Sequence, residues 1–557
     1  MIRVGTRLDA TDKAILISFA FNSFKCLLIF SIFAFPCFSF AQTIPVSNQL
    51  MQDFLRINQL KGEIDSNISL NLKPVSFNVL SNQSESLGIS FTSKNVFDGS
   101  DQLIFKVLPF TIDQQYNSSN SYGWNDGLMI PAKGYQQYIS AGFFLKAGPL
   151  TIQAQPEFVY AENPDYLSGN DRTASDRYLN FISLNGYGAD LPTHYERENF
   201  STLALGQSSV RLNLGPVSLG LSNENLWWGP GRRTALLMSN NARGFRHVTL
   251  NTIRPIITPV GSLEGQIIGG RLENSGSPID LTKNQDWRYL SGMVFNYQPK
   301  WIPGLSLGLT RVFQIYNTDI KGFNDYIPLF QPFEKKRTEE DSKRRDQLTS
   351  VFAKFIFREA NAEIYTEFAR NDHSFNLRDF IQEPQHSRAY LFGFQKLVSL
   401  PTDQDKLLFS AEIIHLSQPI NRILRNAGTW YVHEINQGYT NFGEIIGAGT
   451  GPGGNLQSFE FSWINGFKRL GIQVERYERN KDYYQMVIDP SDSYNRQWVD
   501  FSAALLGNWV YKNLLLSGKL SGIQSFNYMW QTGISDLPQK NTFNLNARLG
   551  IHYYFKK

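Results

Sequence analysis

The C-terminal run 543–555 alternates between apolar and polar side chains. Phe543, Leu545, Ala547, Leu549, Ile551, Tyr553 and Phe555 are apolar, and the intervening Asn544, Asn546, Arg548, Gly550 and His552 are mostly polar. Successive side chains of a strand point to opposite faces, so a period of two describes a strand with one apolar and one polar face. A period of two held over 13 residues is long for a soluble sandwich, whose strands average about 5–6 residues. It suits a transmembrane strand with one face in lipid and the other in a polar interior, and Tyr553 and Phe555 fit an aromatic girdle at the membrane edge. The expected fold class is all-β, a transmembrane antiparallel β-barrel.

The pattern recurs along the chain. Ile139, Ala141, Phe143 and Leu145 alternate with Tyr138, Ser140, Gly142 and Phe144; Gly148-Pro149 turns the chain, and Leu150, Ile152, Ala154 and Phe158 continue the alternation. Val210, Leu212 and Leu214, then Gly215-Pro216, then Val217, Leu219 and Leu221 repeat this hairpin design. Phe459, Phe461 and Trp463 alternate with Ser458, Glu460 and Ser462. Segments 303–316, 348–358, 361–370, 387–398, 406–416, 468–479, 497–507 and 513–524 also read as strands. Composition agrees: aromatics reach 14% and charged residues only 18%, against about 25% charged in soluble domains. Mean hydropathy is −0.29, as expected where only one face of each strand meets lipid.

The N-terminus reads as a secretory signal over 1–41. Arg3, Arg7, Lys13 and Lys25 precede or border the apolar stretch 27–38, and Ser39-Phe40-Ala41 is a small-x-small cleavage site. Both cysteines, Cys26 and Cys37, fall within this leader, so the mature chain is expected to be cysteine-free, without disulfides or a thiol nucleophile. The net charge is +4, and removing a leader with four basic and two acidic residues leaves a near balance, which gives no global attraction for nucleic acid. Residues 42–90 read as a short helical plug, with a docking site as the competing reading, capped by Ser47, with Leu50, Met51, Phe54, Leu55 and Ile57 on its apolar face and Asn58 interrupting it. The barrel is expected over 91–557, with long loops at 98–136, 161–200, 331–347 and 417–457 carrying function.

No catalytic residue, metal site or cofactor is expected. The sequence has no HExxH, GxSxG or Walker A pattern, its seven histidines are scattered, and His433-Glu434 has no spaced partner. The Gly-rich run 447–454 contains Pro452 and no helix is expected after it, so it reads as an outer loop instead of a phosphate cradle. Glu363 and Glu367 share one strand face about 13 Å apart, beyond the roughly 5–9.5 Å of a glycosidase pair. Glu412, Glu460 and Glu475 are further lumen candidates, expected to pair with lumen arginines such as Arg548.

One stretch carries a family likeness. Trp227-Trp228-Gly229-Pro230-Gly231-Arg232, then Ser239-Asn240-Asn241-Ala242 and Arg254-Pro255, closely resemble the signature of the capsule assembly Wzi family of bacterial outer-membrane proteins. Leu55-Arg56, Gly62, Pro74, Asn125-Asp126-Gly127, Lys133-Gly134, Pro156-Glu157, Asp190-Leu191-Pro192, Leu205-Gly206-Gln207-Ser208 and Gly447-Ala448-Gly449 extend the resemblance over most of the chain after residue 50. The resemblance implies a barrel of about 18 strands, or about 26 residues per strand with its loop. It also implies a monomeric, non-enzymatic protein of the outer membrane, with capsular polysaccharide or exopolysaccharide, membrane lipid and the export machinery as partners.

Sugar binding calls for aromatic faces together with amide and charged groups. Arg422, Arg425, Trp430, Tyr431, His433 and Tyr439 supply this mixture in one loop, and Arg172 and Tyr178 in another; the alternative is that the rings pack the loops into a lid. Trp227-Trp228 reads as a rigid corner with indoles anchored at the membrane interface, and a sugar platform is the competing reading. An open saccharide channel is the alternative function, and an embedded hydrolase a third.

Overall fold

The computed structural model describes residues 42–76, 94–100, 103–167, 169–183, 188–195, 198–276, 286–328, 345–371, 381–401, 404–419, 429–432 and 435–555. The expected signal 1–41 lies outside these residues. Nearly all strands join one antiparallel sheet of 24 segments. Several segments are parts of one long strand divided by a short irregularity, as Leu103–Val107 with Phe110–Tyr122, Ala132–Ser140 with Phe143–Ala147, and Leu150–Ala154 with Glu157–Ala161. Phe200–Ala204 with Ser209–Leu214, and His247–Thr252 with Ile256–Thr258, join in the same way. Counted so, eighteen strands among the described residues run from Leu103 to Tyr553, each paired with the next. The sheet then returns on itself, because Thr542–Tyr553 pairs with Phe110–Tyr122 from Asn546 opposite Asn117 to Tyr553 opposite Phe110. Below that seam Leu103–Val107 instead takes the extra strand Lys94–Ser100.

The alternation read from sequence is the wall's two faces. Phe459 and Phe461 are 56% and 40% exposed while Glu460 and Ser462 between them are buried. Phe543, Leu545 and Leu549 likewise face outward, and Asn544 and Asn546 are buried. Connections at one end are short, such as Gly148-Pro149, Gly215-Pro216 and Gly466-Phe467, and the first glycine of each has a φ near 60° (59°, 63° and 59°) that a side chain would strain. Connections at the other end are long, the arrangement of outer-membrane barrels with periplasmic turns and extracellular loops.

Three expectations change. The supposed loop 98–136 is largely strand, because the Asn, Gln and Ser residues of Phe110–Tyr122 mask the alternation. The wall also contains Gly261–Leu272 and Arg288–Pro299, whose glycines and serines blur the period. Within 161–200 lies a helix, Asn170–Ser183.

The first helix, α1 (Gln49–Leu60), is capped by Asn48, whose side chain accepts from Met51 N–H at 3.1 Å, in place of Ser47. Asn58 does not end it; its amide donates to Phe54 O at 2.9 Å, inside the helix. Its apolar faces pack on Ile64, Ile68 and Val75 and on the inward side chains Leu397, Leu408 and Ile464, so it lies within the wall near the short turns. Asn170–Ser183 is α2.

Candidate functional site

Residues 223–246 leave the wall strand Val217–Ser222 and turn into the barrel instead of away from it. Trp227–Trp228 pairs antiparallel with Leu72–Lys73 of the N-terminal segment. Both indoles are at most 1% exposed, so the expected interfacial anchors are interior residues. The reason is hydrogen bonding: Trp228 Nε1 donates to Gln266 Oε1 at 2.8 Å and Trp227 Nε1 to Gly229 O at 3.2 Å, partners a lipid face lacks. Wall residue Gly292 makes room, since a Cβ there would stand 2.9 Å from the Trp228 ring. Gly229 N–H donates to Asn71 O at 2.9 Å. At Gly231 a Cβ would meet Thr234 O at 1.8 Å, so the tight corner requires glycine.

Past the corner the chain meets the inward carboxylates. Backbone N–H groups of Arg232 and Arg233 donate to the two oxygens of Glu412 at 2.7 and 3.0 Å, and Leu236 N–H donates to Glu367 at 3.1 Å. The Arg232 guanidinium bonds Glu460 at 2.8 Å and Asp53 of α1 at 3.1 Å; Arg469 bonds Asp53 at 2.8 Å and also Glu460. Arg233 pairs with Glu475 at 3.0 Å, and Arg56 of α1 with Glu363 at 2.5 Å. Burial alone would raise the Asp53 carboxyl, but Arg232 and Arg469 outweigh it and hold it well below the ordinary carboxylate value. The lumen glutamates thus meet arginines of the inserted segments as well as the wall's Arg469. Arg548, expected to serve them, pairs with Asp126 instead.

The loop after Lys406–His415 folds in over this corner. Trp430, Tyr431 and Tyr439 have no exposed surface. Tyr431 Oη donates to Leu236 O at 2.5 Å and accepts from Ala448 N–H at 2.7 Å. Asn241 Nδ2 donates to Ile445 O at 2.8 Å and its Oδ1 accepts from Asn125 N–H at 2.9 Å; Asn240 Nδ2 donates to Asn125 O at 3.3 Å. Together Trp228, Leu236, Trp430, Tyr431, Tyr439 and Ile446 belong to the largest apolar cluster, in the interior.

The structure therefore joins the corner 227–232, Asn240 and Asn241 to Trp430, Tyr431 and Tyr439, as packing partners. Tyr178 is elsewhere, buried at the outer end, stacked on Trp530 at 4.6 Å and edge-on to Tyr483 at 5.2 Å. Arg172 is exposed and pairs with Asp165 at 2.5 Å. Arg422, Arg425 and His433 lie outside the described residues. Sequence reasoning missed Asp53, Arg469, Trp124 and Lys519, and met Asp126 only within the family likeness; all five converge on the lumen. A partial signal was present: Glu412, Glu460 and Glu475 fall on polar-facing strand positions, which calls for cationic or N–H partners in the lumen. Among the described residues no group of three or more His, Cys, Asp or Glu is disposed to hold a metal ion.

Comparison with known proteins places this architecture. No curated protein matches the chain by sequence. Its structure is similar to that of Wzi, described as an outer-membrane protein involved in group 1 capsule assembly in Escherichia coli and a carbohydrate-binding β-barrel; identity is 15%, coverage is 93% of this chain and 100% of that one, and the TM-score is 0.62. OccAB2 of Acinetobacter baumannii matches at 12% identity over 80% of this chain and 97% of its own, with a TM-score of only 0.39. The family model described as capsule assembly protein Wzi matches residues 130–526, which span the inserted corner and most of the wall. With that match over most of its length, this chain belongs to the capsule assembly protein Wzi family.

Proposed function

We propose that this outer-membrane barrel binds exported capsular polysaccharide or exopolysaccharide at its outer end and retains it at the cell surface without chemical conversion. The observation that carries the reading is the occupied lumen. α1, the corner 227–232 and the loop containing Trp430 and Tyr431 occupy the interior, linked by the Arg232–Asp53 and Tyr431–Leu236 hydrogen bonds, which favours a binding surface over a conduit. The solved Escherichia coli relative is itself described as carbohydrate-binding. Residues 42–90 act as the periplasmic plug. The buried rings Trp430, Tyr431, Tyr439 and Tyr178 shape the outer loops, and polymer contact falls to exposed groups such as Arg172, with Arg422, Arg425 and His433 as further candidates. Each contact can be weak, since a repetitive polymer engages many copies of the monomeric barrel at once. Export machinery is the natural neighbour of such a protein. Hydrolysis is disfavoured because Glu363, Glu412, Glu460 and Glu475 are all engaged by arginine side chains or by backbone N–H groups.

A clean deletion, scored for cell-attached against released polysaccharide, tests this. Constant total polymer with a shift into the medium is the expected result. Unchanged attachment would sink the retention role. The channel alternative makes the opposite forecast in planar bilayers, where the purified protein should be nearly silent if the lumen stays filled.

A further inference from the structure

A cavity of about 270 Å³ remains inside the wall, between the first turn of α1, the Arg232-Arg233 corner and the strands Lys468–Glu478, Val499–Tyr511, Leu514–Phe526 and Thr542–Tyr553. That is near the lower end of the roughly 300–1,000 Å³ usual for small-molecule sites. A narrower space beside the Gly466-Phe467 turn shares Leu50, Asp53, Arg469 and Asn508 with it, so the cavity continues toward the short-turn end.

Its charge arrangement is unusual for an inert void. Lys519 and Arg548 stand directly opposite one another on neighbouring strands, and both line the cavity. Like charges placed directly opposite destabilise a ladder, so the pair calls for negative charge nearby. Arg548 has Asp126, and Arg233, also lining the cavity, has Glu475. The Lys519 ammonium donates at 2.8 Å to the neutral amide oxygen of Gln473, and among the described residues no carboxylate forms an ion pair with it. Glu475, the carboxylate that acts most strongly on Lys519 through space, is already ion-paired with Arg233, so the ammonium lines the space with a neutral amide as its direct partner. Beside it are groups that suit a polyhydroxyl ligand: the amides of Asn508 and Gln473, and the ring of Trp124, which carries Arg233 5.0 Å from its centroid.

We propose that this cavity binds a single carboxylate-bearing sugar unit, with its carboxylate on Lys519 and its hydroxyls on Asn508 and Gln473. This names an acidic saccharide as the ligand class and rests on the polysaccharide-binding reading above. The site lies in the lumen beside α1, distinct from retention at the outer loops.

Calorimetric titration of the full-length protein in detergent tests it, with glucuronate, glucose and inorganic sulfate as probes. Glucuronate should bind saturably and glucose far more weakly. Lys519→Gln should weaken glucuronate about tenfold, the scale of one charge-assisted hydrogen bond, and Lys519→Arg should preserve it. Thermal melting of each variant checks that the fold survives. No saturable glucuronate binding, or binding unaffected by Lys519→Gln, overturns the proposal. Equal affinity for sulfate and glucuronate overturns the sugar assignment and leaves a plain anion hole. Retention of polymer by cells carrying Lys519→Gln is scored separately: retention intact with binding lost separates this site from the surface role, so either reading can fail alone.

Discussion

The outer wall and the inserted corner use the same residue types in opposite ways. On the wall, Phe459, Phe543 and Trp509 are more than half exposed, and what covers them is lipid. At the corner, Trp227 and Trp228 are fully enclosed, and what covers them is this chain. Lipid asks only for an apolar surface of the right height, so many side chains serve equally on the wall. The interior asks for specific partners: an acceptor for each indole N–H, a glycine where Trp228 lies, and an arginine side chain or backbone N–H for each glutamate that meets the corner. The wall should therefore tolerate exchange among apolar residues, and the corner should tolerate very little.

The strongest way to break this contrast is Arg232→Leu. It strips Asp53 and Glu460 of one of their two arginines, and breaking a buried pair costs about 3–5 kcal/mol. Denaturant unfolding in detergent should show that loss, and bilayer recordings should show openings absent from the wild type as α1 loosens. A wild-type unfolding midpoint for this variant would mean the network carries little. Next is Leu505→Arg, which puts a charge on the lipid face at mid-strand, where it costs about 2–4 kcal/mol. Leu505→Phe should be nearly neutral, and a large loss for the Phe variant would contradict the tolerance ascribed to the wall.

Acid offers a graded version of the first test. The folded Asp53 carboxyl lies below its ordinary value, about 3.9 in an unfolded chain. Its contribution is therefore complete above about pH 5, begins to fall as the pH drops past the unfolded value and is lost once the pH has passed through the depressed folded value. Conductance should stay quiet at pH 7 and pH 5 and appear in stronger acid. Openings already at pH 5 would show that Arg232 and Arg469 do not hold the group down. The smallest effect belongs to Arg172→Ala, because its pair with Asp165 is exposed. Stability should change by less than about 1 kcal/mol, while a measurable drop in retained polymer would mark Arg172 as a contact residue.

Much of the wall was legible because its signal is local. The segments 361–370, 387–398 and 468–479 correspond to Ala362–Asn371, Arg388–Ser399 and Lys468–Glu478 within a residue or so. Phe110–Tyr122 was missed because its Asn, Gln and Ser residues leave no contrast between faces. The site was less legible. Trp430, Tyr431 and Tyr439 look like a sugar-binding mixture in sequence, yet each is buried, because nothing in a loop's composition says whether its rings turn inward. Arg232 and Asp53 are 179 residues apart, and no local pattern announces their bond.

By itself the sequence determined the class of the fold, the direction the side chains of the alternating wall strands face and the family to which the chain belongs. Period-two alternation is a property of one strand with two environments and needs no distant partner to be read. Only the tertiary structure decided that 223–246 turns inward, that α1 is bound to it by Asp53 on Arg232 and by Arg56, which donates to Gly231 O at 3.1 Å, and that Lys519 is left facing a cavity. Those outcomes depend on which charges and rings meet across hundreds of residues, and that is settled when the sheet curls round and brings its strands to a common interior.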